Sequence, residues 1–194
     1  AATGTGDLDV TAGATLDLGT NSITAGLVTT SGASPAITGT GTINASSGFY
    51  FNNTGDITVD AVLAGGGGLL KTQTNGLTLT GLNTYTGTTE VQNGTVSFDS
   101  IANVGAGASA LGAPATVEDG IIRMGLTTAD PILIYTGTGH STDRIIEMQG
   151  VAGGNLTIKS DGTGALGLGT IQTAVGGDKT VTLGGDSTGF DNLT

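Results

Sequence analysis

The sequence predicts an all-β fold in which short strands stack on one another as a β-solenoid. Apolar and polar residues alternate over three to five residues at many places in the chain, and this alternation is typical of a half-buried strand. Similar phrases recur about 20 to 26 residues apart, which suits one coil of a solenoid. The segments between them are rich in Gly and Thr, which indicates tight corners rather than long connections.

Each predicted strand follows a turn that often ends in Gly. Alternate side chains of a strand point to opposite faces, so Leu, Ile and Val are expected inside and Thr, Asp and Ser outside. In chain order the phrases are Gly6–Val10, Ala14–Leu18, Gly41–Ile43, Gly55–Val59, Gly76–Leu79, Gly94–Phe98, Gly120–Met124, Gly154–Ile158 and Lys179–Leu183.

The spacing between phrases predicts which residues lie above one another in the stack. The pairs expected to be equivalent are Ile57 with Leu77, Leu77 with Val96, Val96 with Ile122, Ile121–Met124 with Ile145–Met148, and Leu156 with Val181. We expect roughly eight to ten coils in a single domain over residues 1–194. A β-sandwich or meander is the alternative, since it also consists of short strands and turns.

No stretch of the chain has a helical period. The nearest candidate, residues 101–111, contains too much Gly to hold a helix well. We expect a loop extension beside the stack near residues 101–113.

Composition excludes several classes of function. The chain has 5 Lys and Arg against 16 Asp and Glu, a net charge of −11, so it lacks the basic groups that bind nucleic acid phosphates. Cysteine is absent, which excludes disulfides and thiolate metal sites. The apolar runs are far shorter than the ~20 residues of a membrane-spanning helix, so no membrane insertion by this segment is expected. Because the chain begins at Ala1 without a signal peptide, we interpret it as a processed chain or a fragment of a longer one.

Phe49-Tyr50-Phe51 is the only aromatic cluster in the sequence. In a strand, Phe49 and Phe51 share one face and Tyr50 takes the other. We expect the two Phe side chains in the core. The alternative is an exposed aromatic patch for contact with a glycan or a partner, with Tyr50 as its main member.

No catalytic, cofactor-binding or metal-binding residue is predicted. Asp143-Arg144 and Lys159-Ser160-Asp161 are interpreted as solvated turn charges. His140, the single histidine, is interpreted as a surface residue of a turn. The run Gly65–Gly68 lacks the Lys and Ser or Thr of a phosphate-binding loop and is interpreted as a turn.

Acidic pairs leave one alternative to this prediction. Asp7 with Asp9, Asp56 with Asp60, and the loop Asp161–Gly164 suggest weak surface Ca²⁺ binding, although none matches a known calcium motif. Lys71, Lys159 and Lys179 are able in principle to form isopeptide cross-links with Asn or Asp, but no feature of the sequence favours one.

The segment from residue 65 to residue 98 resembles the autotransporter-associated β-strand repeat of large bacterial surface proteins. The resemblance rests on Leu77-Thr-Leu-Thr-Gly-Leu-Asn83-Thr-Tyr85-Thr-Gly87, followed by Asn93-Gly94 and the strand Thr95–Phe98. It implies a right-handed parallel β-helix, secretion, and no catalytic residues. Asn75, Asn83 and Asn93 are expected to take left-handed corners or to stack as amide ladders.

Three functions are compatible with these observations. The first is a non-catalytic structural unit of an extracellular bacterial surface fibre, stalk or layer. It would assemble head to tail into a filament, because the first and last phrases resemble interior coils. The second is an adhesin passenger that binds cell-surface polysaccharide or host protein through a lateral face around Tyr50. The third is a polysaccharide-cleaving β-helix with two close carboxylates beside Arg123 or Arg144.

Overall fold

The computed structural model describes residues 2–3, 6–126, 129–150, 154–186 and 189–191. Over these residues the chain is a β-solenoid, which confirms the predicted fold, and each of its strand pairs is parallel. The last predicted phrase, Lys179–Leu183, lies within the described residues.

The strands are short, with two exceptions that bend around a corner of the coil. They are β1 (Ala2–Thr3), β2 (Leu8–Val10), β3 (Thr15–Asp17), β4 (Ser22–Gly32), β5 (Ala36–Thr38), β6 (Thr42–Asn53), β7 (Ile57–Val59), β8 (Val62–Ala64), β9 (Leu69–Lys71), β10 (Gly76–Leu79), β11 (Thr89–Val91), β12 (Thr95–Phe98), β13 (Ile122–Met124), β14 (Ile132–Tyr135), β15 (Thr138–Ser141), β16 (Ile146–Met148), β17 (Leu156–Ser160), β18 (Gly164–Gly167), β19 (Ile171–Thr173), β20 (Val181–Gly184) and β21 (Phe190–Asp191). One helical turn, α1 (Val117–Gly120), precedes β13.

Three sheets run along the stack. The first has ten strands in the order β1-β4-β6-β9-β11-β13-β16-β19, with β2 beside β4 and β8 beside β6. The second has the order β20-β17-β14-β12-β10-β7-β5-β3, and the third the order β15-β18-β21. Most strands that follow each other in the chain therefore belong to different sheets, the exceptions being β1 with β2 and β8 with β9, and each strand pairs with one from a neighbouring coil.

The register in the first sheet defines eight rungs. They are Leu8, Val28, Phe49, Leu69, Thr89, Ile122, Ile146 and Ile171, separated by 20, 21, 20, 20, 33, 24 and 25 residues. The structure confirms four of the five predicted equivalences. The pairing of Val96 with Ile122 is wrong: Val96 lies beside Leu133, and Ile122 lies beside Thr89. The reason is an excursion of the chain between β12 and β13, which lengthens this coil.

The excursion, residues 99–121, packs against the stack through part of its length. Ile101, Ala110 and Leu111 are buried in the same core as the strands. Its helical turn α1, which the sequence analysis did not predict, is capped by Thr116, whose hydroxyl accepts the Asp119 N–H at 3.1 Å. This turn is far too short to cross a bilayer, and nothing else in the described chain forms a longer helix.

Acidic and amide side chains connect successive coils at the corners. A side-chain oxygen in one coil accepts a backbone N–H in the next, which would otherwise lack a partner. The pairs are Asp7 with Leu27 (2.8 Å), Asp56 with Gly76 (2.7 Å), Asp130 with Asn155 (2.9 Å), Asn155 with Thr180 (3.1 Å) and Asp161 with Asp186 (3.1 Å). Four of the 16 acidic residues thus connect one coil to the next.

Asn83 makes the most buried of these connections. Its Oδ1 accepts the Leu63 N–H at 2.8 Å and its Nδ2 donates to the Ala110 carbonyl at 2.7 Å. It therefore joins the preceding coil to the excursion. Of the two alternatives predicted for Asn75, Asn83 and Asn93, the left-handed conformation is wrong, because Ser34 is the only non-glycine residue with a positive φ in the described chain.

Replacing Asn83 by Ala should lower the free energy of unfolding by about 2–4 kcal/mol. The substitution leaves the buried Leu63 N–H and Ala110 carbonyl unpaired, and each such group costs about 1–3 kcal/mol. Chemical denaturation checks this. Asn75→Ala is the matched control, since the Asn75 side chain makes no hydrogen bond in the described structure, and its effect should stay within about 0.5 kcal/mol. Equal effects of the two substitutions would contradict the role of Asn83.

Candidate functional site

One column of outward-facing side chains runs along the first sheet from its second rung to its eighth. The register places Thr29, Tyr50, Leu70, Glu90, Arg123, Glu147 and Gln172 above one another. We call this set the lateral column. Its first half is hydroxylic, aromatic and aliphatic, and its second half is charged or amide, so the two halves offer different chemistry to solvent.

Tyr50 is the aromatic member of the lateral column. Phe49 and Phe51 are buried, at 2 % and 1 % exposure, as predicted, while Tyr50 on the opposite face is half-buried. The Tyr50 hydroxyl has no hydrogen-bond partner in the described structure, and no buried side-chain oxygen or nitrogen there lacks one. The hydroxyl therefore faces solvent and is free to bind.

A shallow cleft of about 310 Å³ surrounds Tyr50. Apolar and hydroxyl groups line it together with one carboxylate: Leu27, Ser47, Phe49, Tyr50, Gly68, Leu69, Leu70, Thr88 and Glu90. The floor of the cleft is narrow because the backbones of neighbouring coils are in close contact there. A Cβ added to Gly68, for example, would lie only 2.3 Å from the Thr88 carbonyl oxygen. The run Gly65–Gly68 is thus a stacked corner and contains no phosphate-binding loop.

The charged half of the lateral column is internally paired. Arg123 donates to Glu118 at 2.8 Å and lies 3.7 Å from Glu147. Glu147 also accepts from Gln149 at 2.6 Å and from Gln172 at 2.9 Å. Among the described residues, this group most resembles the two carboxylates and arginine expected of a polysaccharide-cleaving β-helix. Its carboxylates, however, are already hydrogen-bonded or ion-paired with these partners. These contacts give no support to catalysis.

Arg144 is not the solvated turn charge that the sequence analysis predicted. It is 1 % exposed. Its guanidinium donates to the carbonyls of Gly120 at 2.7 Å and Leu111 at 2.6 Å, both in the excursion. Burial lowers its pKa, which nearby Tyr85 and Asp143 partly offset. Asp143, the other member of the pair, is exposed as predicted and accepts the Val104 N–H at 2.8 Å.

His140 belongs to strand β15 rather than to a turn, so its predicted position is wrong. Its Nδ1 lies 2.6 Å from the hydroxyl of buried Tyr135, which also accepts the Gly139 N–H at 2.7 Å. Burial raises the pKa of Tyr135, so the phenol keeps its proton at neutral pH. The contact with Tyr135 orients the imidazole. His140 is half-exposed and lies with Ser141 and Gly164 in an open groove.

Lys71 is a buried residue that the sequence analysis did not single out as part of the core. It ends strand β9 with its side chain inward and 0 % exposed, and its Nζ donates to the Gln73 carbonyl at 2.5 Å. Burial lowers its pKa to about 8, and the nearby Asp56 carboxylate opposes this shift. An inward-facing Lys between Phe51 and Val91 breaks the apolar pattern of this column.

The acidic pairs that suggested calcium do not gather into a cluster. Within the described ranges no three His, Asp or Glu side chains come close enough to hold a metal ion together. The Asp7 and Asp56 carboxylates accept backbone N–H groups, and Asp60 accepts the Thr80 hydroxyl at 2.5 Å. Weak surface Ca²⁺ binding stays a prediction without structural support.

Comparison with known proteins agrees with the predicted resemblance. The chain is 34 % identical, over 161 residues, to the Adhesin BmaC autotransporter of Brucella suis biovar 1. The match covers 80 % of this chain but only 4 % of the length of that protein. No family model matches the chain, and no solved structure matches it.

Proposed function

We propose that this autotransporter-type β-solenoid is a non-catalytic structural segment of an extracellular adhesin passenger. The observation that carries the proposal is the similarity over most of the chain to an autotransporter adhesin, in a fold made of stacked parallel coils. Because the match covers a small part of that protein, the segment's contribution is argued from its own structure.

The structure suits a stiff extracellular spacer. Eight rungs about 4.8 Å apart extend over roughly 34 Å of axis. Backbone pairing along three faces and the Asp and Asn connections between coils resist bending and local opening. The chain reaches this rigidity without cysteine, so it needs no disulfide formation on its way out of the cell.

Antibodies raised against this segment should label intact cells that produce it, and external protease should remove the label. This outcome is expected because a passenger segment lies outside the outer membrane. Immunofluorescence before and after permeabilisation is the measurement, with a periplasmic protein as the control. Labelling that appears only after permeabilisation would reject the proposed location.

A second function, direct ligand contact, is supported by the cleft around Tyr50. A flat phenol with a free hydroxyl, aliphatic walls and the acceptors Ser47, Thr88 and Glu90 suit a neutral sugar, which offers both apolar faces and hydroxyl donors. The net charge of −11 disfavours acidic glycans by repulsion. We propose that cell-surface polysaccharide of neutral composition is the ligand class.

Tyr50→Ala should weaken binding to neutral glycans by at least roughly tenfold, as expected when a central aromatic anchor is removed. A glycan array followed by titration calorimetry on the best neutral hit gives the measurement. Gln172→Ala is the control, because Gln172 is exposed on the same column five rungs away. Unchanged binding by Tyr50→Ala, or no binding by the parent chain, would reject the ligand-binding function and leave only the structural role.

Axial self-association is also part of the proposal, since an unpaired strand edge accepts another chain. At high concentration the 194-residue chain should form fibres whose axial repeat is close to the length of one rod. Electron microscopy and sedimentation velocity of the natively isolated protein measure this. Monodisperse rods at all concentrations would count against a filament while leaving the spacer role intact.

A further inference from the structure

Three polar side chains lie buried together at one corner of the first sheet. They are Thr30, Asn53 and Lys71, with exposures of 1 %, 0 % and 0 %. They come from β4, β6 and β9, which are neighbours in that order. The surrounding column is otherwise apolar near this corner, with Val10, Phe51 and Val91. The presence of a lysine there requires an explanation, because burying a charged ammonium group costs free energy.

The register brings the ends of Asn53 and Lys71 to the same corner. Phe51 pairs with Lys71, the last residue of β9, and Asn53 lies two residues beyond Phe51 in the coil below. Asn53 shares the inward face with Phe51, since both are buried and are two residues apart. The Lys71 Nζ reaches forward to the Gln73 carbonyl. The amine therefore extends along its own coil in the same direction as the chain runs from Phe51 to Asn53 in the coil below.

The Asn53 carboxamide is held by two hydrogen bonds that favour attack on its carbon. The Thr30 hydroxyl donates to Oδ1 at 3.1 Å, which polarises the carbonyl. Nδ2 donates to the Gly55 carbonyl, which fixes the nitrogen that would leave. Water is excluded from the site because all three side chains are buried, so hydrolysis of the amide does not compete.

We propose that Lys71 and Asn53 are joined by an intramolecular isopeptide bond. The neutral Lys71 amine attacks Asn53 Cγ, and a bond forms between Nζ and Cγ. The bond between Cγ and Nδ2 breaks, and Nδ2 leaves as ammonia with one proton taken from Nζ. The reaction needs no oxidant, reductant or other co-reactant, and it replaces a buried amine by a neutral amide.

The bond would cross-link two successive coils and close a loop from residue 53 to residue 71 in the unfolded chain. A cross-link of this kind stabilises a fold chiefly by restricting its unfolded state. It would also suit a chain without cysteine that works outside the cell. The lowered pKa of Lys71 helps, because a neutral amine is the nucleophile.

The test is the intact mass of the purified 194-residue chain under denaturing conditions, followed by trypsin digestion. The linked chain is lighter than its sequence mass by one ammonia. Trypsin cleaves after Lys and Arg, and the first such residues are Lys71 and Arg123. An acylated Lys71 resists cleavage, so residues 1–123 should appear as one fragment, whereas an unlinked chain releases residues 1–71.

Two variants and one pH series make the result specific. Lys71→Arg and Asn53→Ala should both keep the full sequence mass, while Lys159→Arg, outside the corner, should still lose ammonia. If the linkage is incomplete after purification, it should form roughly tenfold faster at pH 9 than at pH 7, as the fraction of neutral amine rises. Cyclisation at Asn75-Gly76 also releases ammonia, but it leaves the cleavage after Lys71 intact.

An unshifted intact mass after prolonged incubation of the folded chain at pH 9 would overturn the proposal, whatever the variants do. So would a mass loss accompanied by normal release of residues 1–71. Either result would leave Lys71 as a buried amine held by the Gln73 carbonyl.

Discussion

Close parallel stacking of successive coils is the constraint on which the rest of this structure depends. Coils approach so tightly at their corners that a Cβ on Gly65 would lie 2.0 Å from the Ala45 carbonyl oxygen, and one on Gly48 would lie 2.4 Å from that of Gly68. Glycine is required there by contact as well as by its positive φ. Where the corner backbone would lose a hydrogen bond, an Asp or Asn of the preceding coil accepts its N–H.

Two polar side chains inside the core mark the place where the regular coil of about 20 residues is modified. Asn83 and Arg144 both hold carbonyls of the excursion between β12 and β13, which lies across the stack. After the excursion the coils lengthen to 24 and 25 residues. The third sheet, with the contact between Tyr135 and His140, belongs to these longer coils. The buried Arg144 thus holds the excursion against the stack by binding its carbonyl groups.

The lateral column links the fold to the proposed functions. In a solenoid, one outward position per coil produces a line of side chains along the rod, so a binding surface is built by register rather than by a loop. Here the line joins a cleft around Tyr50 and Leu70 to the ion-paired Arg123 and Glu147. The cleft offers apolar surface and free hydrogen-bonding groups, whereas the charged side chains of the second part form hydrogen bonds and ion pairs with one another and with their neighbours. Recognition by this face is therefore expected near Tyr50.

The class of fold, the alternation of the strands and the burial of Phe49 and Phe51 can be predicted from the sequence, because period-2 patterning and corner glycines are local properties. The sequence also indicated the relationship to autotransporter repeats through Leu77 to Gly87. Only the tertiary structure decided the pairing of Val96 with Leu133, since an excursion shifts register by an amount that no local pattern reveals. The burial of Arg144, Lys71 and Asn53 depends on the tertiary fold as well. Charged and amide residues at turns look alike in sequence, and only the position of the neighbouring coil determines whether they face water or the core.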